Sequence, residues 1–212
     1  MCTTASAISF MLQNLGKPVI FTGSVIPGNR IYTDLKRNII LALTMAAYGQ
    51  LCEVAILFND RLFRANRTTR TNRSKLQPFA SPHYPPLGSM IGNSLQLHNA
   101  FLRPQPHGAL NVMPHMSAII LTLYLGPSLP PNVLHSALQH TSARAVILCC
   151  YGSGNGPSRD GYMTRALAIA QSRDLVVVIC TQNNFGTVTL NEYATGQQLL
   201  KAGALSALDM TT

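Results

Sequence analysis

The chain has 212 residues, 47% of them hydrophobic and 11% charged, which is enough to bury a core in one domain or two. Its 16 basic and 7 acidic side chains give a formal net charge of +9, which favours an anionic partner. No apolar stretch approaches the length of a membrane span, and the five cysteines lack the spacing of a disulfide framework or a zinc site.

The first half of the chain is predicted to alternate helices with buried strands. Residues 3–15 carry apolar side chains at helical spacing up to Gly16. They lack the basic start of a signal peptide, so they indicate an amphipathic helix in a cytoplasmic protein. The run 18–23 predicts a short buried strand, 38–49 a helix, and 53–59 a second buried strand.

The middle of the chain has a different composition. Residues 64–114 are rich in Pro, Asn, Ser and His and show little periodicity. At the end of this stretch, residues 103–115 are predicted to form a linker. The chain is therefore expected to hold two units, one over residues 1–110 and the other over 116–212.

The second half returns to the alternation of strands and helices. Its predicted strands are 117–126, 143–152 and 175–182, and its predicted helices are 131–140, 161–172 and 193–205. Apolar strands without alternation, separated by helices, are typical of a parallel sheet that is covered on both faces. The sequence therefore predicts the α/β class, with a parallel sheet in each of two units.

Each predicted strand ends in a polar or glycine-rich loop. These loops contain the sequences TGS, ND, GPS, GSGNGPS and TQNNFG. Ligands of open parallel sheets bind beyond the carboxyl ends of the strands, so the loops together define the expected site. The GSGNG stretch at 152–156 lacks the GxGxxG spacing of dinucleotide-binding loops and predicts a tight turn that presents Asn155. The six histidines show no HxxxH spacing, so no metal site is expected.

A basic segment, residues 61–75, follows the second predicted strand. Its cations are Arg61, Arg64, Arg67, Arg70, Arg73 and Lys75. Threonines lie between them at 68, 69 and 71, and a threonine hydroxyl becomes a nucleophile only beside a base or a cation. Residue types and spacing leave three interpretations open: a solvated loop, a strip that binds nucleic acid, or the rim of a hydroxyl-bearing active site.

Four segments together carry more information than any one of them. They are MCTTASAISFMLQNLGKPVIFTGSVIP, NRTTRTNRSKLQPFASPHYPP, YGSGNGP and EYATGQQLLKAGALSALDMT. They resemble the cytosolic, type I L-asparaginases in register over essentially the whole chain, and they are also similar to the asparaginase domain of lysophospholipase–asparaginase proteins. The resemblance implies hydrolysis of L-asparagine to L-aspartate and ammonia without a cofactor. It also implies a homo-oligomer whose site lies between neighbouring subunits, and it makes nucleic acid an unexpected partner.

The resemblance assigns roles to three residues. Arg70 stands where the family has its catalytic lysine, after two threonines. Ser24 matches the position whose backbone carbonyl faces the substrate amide, and Asn155 matches an asparagine offered to the neighbouring subunit's site. An arginine stays protonated and needs a wider set of acceptors than a lysine, so Arg70 is expected to stabilise charge and not to accept a proton.

The resemblance also implies segments that this sequence does not contain. The family's nucleophile lies in a TGGT-like segment, and a second threonine and an aspartate lie in HGTDTM, whose last residue matches Met1. The chain is therefore expected to be a fragment, cut at both ends and inactive as given. Residues 1–110 would be the remainder of the amino-terminal domain, with an incomplete sheet, and 116–212 a smaller domain without its last helix. The alternative function is a non-catalytic basic protein that binds RNA or an acidic partner.

Overall fold

The structure is a computed structural model that describes residues 1–47, 50–116, 119–157 and 161–212. The chain divides into two compact units, Met1–Met116 and Ser117–Thr212. Within the described ranges, no helix is both long enough and apolar enough to cross a membrane.

In its described residues, the first unit combines two α-helices with nine short strands. The helices are α1 (Cys2–Met11) and α2 (Leu35–Ala47). The strands are β1 (Leu12–Gln13), β2 (Val19–Phe21), β3 (Val54–Phe58), β4 (Arg61–Arg64), β5 (Thr69–Arg70), β6 (Phe79–Ala80), β7 (Gly88–Ile91), β8 (Ser94–Leu97) and β9 (Asn111–Val112). Two 3-10 turns, Ala65–Arg67 and Asn99–Phe101, complete it.

A five-stranded sheet in the order β2-β3-β4-β7-β8 forms the centre of the first unit. β3 has the sequence VAILF and is buried at every position, because a helix packs on each of its faces. Val54, Ile56 and Phe58 lie in one core with residues of α1, whereas Ala55 and Leu57 lie in a second core with residues of α2. The predicted α/β class is confirmed by this arrangement.

The middle of the chain is more regular than its composition predicts. β4, β7 and β8 extend the sheet by antiparallel pairing, and among the described residues of this unit only β2 and β3 are parallel. Tight turns make this pairing possible: Asn59 and Asp60 have φ angles of 43° and 67° between β3 and β4, and Gly92 has a φ of 62° between β7 and β8. The first sheet is therefore mixed, where the sequence predicted a parallel one.

The predicted helix 3–15 ends at Met11, earlier than expected. β1 pairs with β9 in antiparallel register, and Nδ2 of Asn111 donates to Oε1 of Gln13 over 2.9 Å. Asn14 then turns the chain with a φ of 56°. Part of the segment 103–115, predicted to be a linker, is thus a strand of the first unit.

The second unit contains a four-stranded parallel sheet. Its strands lie in the order β10 (Ile120–Tyr124), β11 (Ala145–Cys150), β12 (Val176–Thr181) and β13 (Leu205–Ser206). The helices α3 (Pro131–His140), α4 (Tyr162–Ser172) and α5 (Ala194–Lys201) share one core with these strands. The predicted helix 193–205 was too long, because Gly203, with a φ of 83°, turns the chain from α5 towards β13.

Candidate active site

The carboxyl ends of β2 and β3 lie side by side, because the two strands are adjacent and parallel. β2 runs into Thr22, Gly23 and Ser24, and β3 runs into Asn59. The Thr22 hydroxyl donates to the carbonyl of Leu57 over 3.0 Å and so fixes the end of one strand to the other. Both loops open at the sheet edge where open α/β folds bind their ligands.

Asp34, just before α2, holds the loop that follows β2. Its carboxylate accepts hydrogen bonds from the backbone amide of Val25, at 3.1 and 3.0 Å, and from that of Ile26, at 2.9 Å. The Thr33 hydroxyl donates to the carbonyl of Ile26 over 2.8 Å. One carboxylate therefore satisfies two consecutive amides of a loop that makes no sheet hydrogen bonds at these positions.

Asn38 joins the two loops. It lies one helical turn after Asp34 and is only 1% exposed. Its Nδ2 group donates to the carbonyl of Gly23 over 2.8 Å and to Oδ2 of Asp34 over 3.1 Å. Its Oδ1 atom accepts the backbone amide of Asn59 at 3.3 Å. Sequence reasoning singled out neither Asp34 nor Asn38; the signal it missed is an Asp and an Asn at i and i+4, which lie on one face at the start of α2.

Ser24 lies half-buried between these anchored groups. The Met1 side chain packs over the neighbouring Gly23, where a β-carbon would lie 3.5 Å from the Met1 methyl carbon. The start of α1 therefore borders the loop that contains Ser24. The structure puts Ser24 at the carboxyl edge of the sheet, and its contact with a substrate stays a prediction.

Arg70 lies in β5, where it is paired with Phe79 of β6. Its side chain is exposed, and its Nε atom donates to the carbonyl of Asn72 over 3.2 Å. Burial raises the pKa of the Cys2 thiol, and the positive charge of Arg70 is among the effects that oppose this rise.

The threonines of the basic segment differ in their surroundings. Thr68 is 4% exposed, and its hydroxyl donates to the carbonyl of Arg64 over 2.6 Å. Thr69 is half-buried and Thr71 is exposed. The Thr68 hydroxyl therefore performs the ordinary structural task of a threonine beside a turn.

The cations of the basic segment do not form one surface. The Nη2 group of Arg64 donates to Oε1 of Glu53 at 2.9 Å and to the carbonyl of Phe101 at 2.8 Å, and its Nε group also donates to Glu53. The guanidinium carbons of Arg64 and Arg67 lie 4.4 and 5.9 Å from the ring centre of Tyr84. The exposed cations are Arg61, Arg70, Arg73 and Lys75.

Asn155 lies in a tight turn after β11, as the GSGNG sequence predicted. Tyr151 and Asn155 exchange backbone hydrogen bonds of 2.7 and 2.8 Å. Gly154 has a φ of 109°, and a β-carbon there would lie 2.8 Å from a methyl carbon of Val188, so the turn requires glycine. The Thr195 hydroxyl donates to Oδ1 of Asn155 over 2.7 Å. Its Nδ2 group donates to Oγ of Ser153 over 3.4 Å, so each end of the side-chain amide has a partner.

A separate cleft of about 460 Å³ lies at the opposite end of β3 from Asn59. Its lining includes the ion pair of Glu53 and Arg64 and the end of α1, but neither Ser24 nor Arg70. Within the ranges that the structure describes, no three His, Cys, Asp or Glu side chains are grouped so that they could hold a metal ion. Ser24 therefore lies at the carboxyl end of β2 and Arg70 in the β5–β6 pair, and neither residue lines this cleft.

Comparison with known proteins assigns both units to one family. Residues 1–103 match the family described as Asparaginase, N-terminal, and residues 120–212 match the Glutaminase/Asparaginase C-terminal domain. The chain therefore belongs to the asparaginase family. It is 39% identical to L-asparaginase 1 of Escherichia coli K12 over 215 residues, which cover 100% of this chain and 62% of that protein. It is 34% identical to the 60 kDa lysophospholipase of Mus musculus, over 100% of this chain and 37% of that protein.

Solved structures of asparaginases have the same fold. L-asparaginase I of Vibrio cholerae superposes with a TM-score of 0.89 at 37% identity, over 100% of this chain and 63% of that one. The thermostable L-asparaginase of Thermococcus kodakarensis superposes with a TM-score of 0.90 at 29% identity, over 100% of this chain and 62% of that one. The chain thus spans less than two thirds of these asparaginases. The resemblance drawn from the sequence is confirmed, and the roles of Ser24, Arg70 and Asn155 remain predictions.

Proposed function

We propose that this chain is part of an amidohydrolase that converts L-asparagine to L-aspartate and ammonia. Both units belong to the asparaginase family. The observation that carries the proposal is the loop after β2, whose backbone groups are held by Asp34 and Asn38 beside the start of α1. Rigidly held polar groups at the carboxyl edge of a sheet are what recognition of a small amide requires.

In the proposed site, each selected residue acts through one atom or group. The backbone carbonyl of Ser24 accepts a hydrogen bond from the amide nitrogen of the substrate. The Arg70 guanidinium is placed to stabilise negative charge on a nearby oxygen, but it cannot accept a proton at neutral pH, so full activity is expected only with Arg70→Lys. Asn155 of one copy donates its side-chain amide to the site of a neighbouring copy in a homo-oligomer, and no cofactor takes part. The formal charge of +9 attracts a substrate that carries a carboxylate.

Further residues are needed for the chemical step. This sequence contains neither TGGT nor HGTDT, the segments in which the resemblance places the nucleophilic threonine and its partners. We therefore propose that the 212-residue polypeptide by itself does not turn over asparagine. The cytoplasmic location is proposed on the same family membership.

The test supplies the additional segments from a relative. The parts of E. coli L-asparaginase 1 outside the matched region are joined to Met1 and Thr212 to give the complemented chain. We expect the complemented chain to bind L-aspartate and, with Arg70→Lys, to release ammonia from asparagine. The controls are the 212-residue polypeptide, the added segments alone and a heat-killed sample. A folded complemented chain that neither binds L-aspartate nor releases ammonia contradicts the function. Ammonia release by the 212-residue polypeptide alone contradicts the need for further residues.

A further inference from the structure

We propose that Asn38, together with Asp34, is a positioning residue that aims the backbone carbonyl of Ser24 at the substrate amide. This inference rests on the function proposed above. It starts from the burial of Asn38, which is 1% exposed although its side chain is polar. A buried amide is retained at a low energetic cost only when its hydrogen-bonding groups are satisfied, and those of Asn38 bond to both strand-end loops.

The orientation of the Asn38 amide follows from its partners. The carbonyl of Gly23 and the carboxylate oxygen of Asp34 can only accept hydrogen bonds, so the atom that faces both must be the nitrogen. The backbone amide of Asn59 can only donate, so the atom that faces it must be the oxygen. The network therefore admits one orientation of the amide, and an aspartate at position 38 could not reproduce it.

The direction of the Ser24 carbonyl follows from the peptide geometry. The backbone contains no cis peptide bond in its described part, so the carbonyl of Ser24 points opposite to the N–H of Val25. That N–H points at the Asp34 carboxylate. The Gly23 carbonyl, one residue earlier, is directed to Asn38. The Gly23 carbonyl and the Val25 N–H, on either side of the Ser24 carbonyl, are therefore bonded to Asn38 and Asp34. The Ser24 carbonyl itself is directed away from Asp34.

Only a substrate with N–H groups can use a carbonyl placed in this way. The side-chain amide of asparagine has two such hydrogens, whereas the β-methyl ester of aspartate has none at that position. Loss of Asn38 should therefore impair hydrolysis of the amide far more than hydrolysis of the ester. A general loss of folded protein would instead lower both rates by the same factor.

The experiment compares both substrates in the complemented chain that carries Arg70→Lys. We expect Asn38→Ala and Asn38→Asp each to raise KM for asparagine about tenfold and to lower kcat/KM up to about 100-fold, since small misplacements at a site have effects of this size. With the ester, we expect kcat/KM to change less than threefold. Asp34→Asn is the second variant. It replaces one carboxylate oxygen, which now accepts the N–H of Val25, by an NH2 group that can only donate.

The control is Asn93→Asp, which adds the same negative charge at an exposed position between β7 and β8 and should leave both substrates unaffected. Equal losses on amide and ester, or a lower kcat with unchanged KM for asparagine, overturn the positioning role. If the complemented chain without these changes hydrolyses neither substrate, the proposed function itself fails, and this role fails with it.

Discussion

The Arg64 guanidinium and the Glu53 carboxylate form an ion pair inside the first unit. Two hydrogen bonds join them, one of them 2.9 Å long, and their side chains are 13% and 2% exposed. Arg64 therefore stabilises the fold, although its sequence spacing places it among the cations of the basic segment. A strip of evenly spaced arginines in a sequence does not by itself indicate a surface for a partner.

Replacing Glu53 by Gln should destabilise the first unit. The substitution keeps the size of the side chain but leaves the charge of Arg64 without its carboxylate. Removing one partner of a buried ion pair typically costs ~3–5 kcal/mol. The Phe101 carbonyl and the Tyr84 ring still contact the guanidinium, so we expect the free energy of unfolding to fall by about 3 kcal/mol, at the low end of that range. Urea unfolding followed by circular dichroism measures this difference.

The matched control for Glu53→Gln is Asp60→Asn, because it removes the ion pair between Arg37 and Asp60. The side chains of that pair are 61% and 30% exposed. Exposed pairs are screened by water and salt, so we expect a loss below ~1 kcal/mol. Asn is also well tolerated at a φ of 67°, the value at this position. Similar losses in the two variants would contradict a structural role for the Glu53–Arg64 pair.

The alternative function depends on the cations that stay exposed, which are Arg61, Arg70, Arg73 and Lys75. Because Arg64 and Arg67 contact the fold, we expect a random single-stranded oligonucleotide to bind only in the non-specific range, with Kd weaker than about 10⁻⁶ M at physiological salt. Fluorescence anisotropy at low and high salt measures this affinity. Tighter binding that weakens steeply with salt, and that is lost on Arg73→Glu, would favour the basic binding protein over the amidohydrolase.

The hydrogen bond from Thr195 to Asn155 predicts an effect on substrate affinity. Thr195→Val keeps the side-chain shape but leaves Oδ1 of Asn155 without this donor, so the amide retains only the long hydrogen bond of 3.4 Å from Nδ2 to Ser153. In the complemented chain with Arg70→Lys, we expect KM for asparagine to rise about three- to tenfold, which corresponds to the loss of one ordinary hydrogen bond. Thr189→Val, at an exposed position, is the control. An unchanged KM would show that Asn155 does not need this bond, or does not contact the substrate.

β3, β10, β11 and β12 could be predicted from the sequence because they lie in continuous apolar runs, whereas β13 was missed because it has only two residues. β4, β7 and β8 escaped prediction for a physical reason: each has four residues, and their pairing depends on turns at positive φ. Short strands of this kind carry little periodicity, and hydrogen bonds to neighbouring strands decide their conformation. The early end of the first helix likewise depends on pairing with Asn111 and Val112, about 100 residues further along the chain.

The position of the candidate site could be predicted from the order of strands and loops in the sequence. The hydrogen bonds within the site could not. The loop at Ser24 was located because it follows an apolar strand, half-buried in the structure, that belongs to a parallel pair. Asp34 and Asn38 were missed because their roles depend on where β2 and β3 bring Gly23 and Asn59 together. An isolated helix with this sequence would expose both side chains to water. Their hydrogen-bond partners in the two strand-end loops can therefore be identified only in the folded unit.

The prediction for Arg70 distinguishes two ways in which a cation could serve the reaction. If a proton acceptor is required, the complemented chain with Arg70 should be nearly inactive, because a guanidinium stays protonated at neutral pH. Arg70→Lys should then raise kcat by about 10²- to 10⁴-fold, the usual contribution of a general acid–base group. If the cation only stabilises an oxyanion, Arg70→Lys should change kcat little, whereas Arg70→Ala should abolish turnover. We expect the first result, and ammonia release by the three chains measures it. Arg73→Lys, an exposed change of the same kind, is the control and should have no effect. A complemented chain that is fully active with Arg70 in place would show that no proton acceptor is needed at this position.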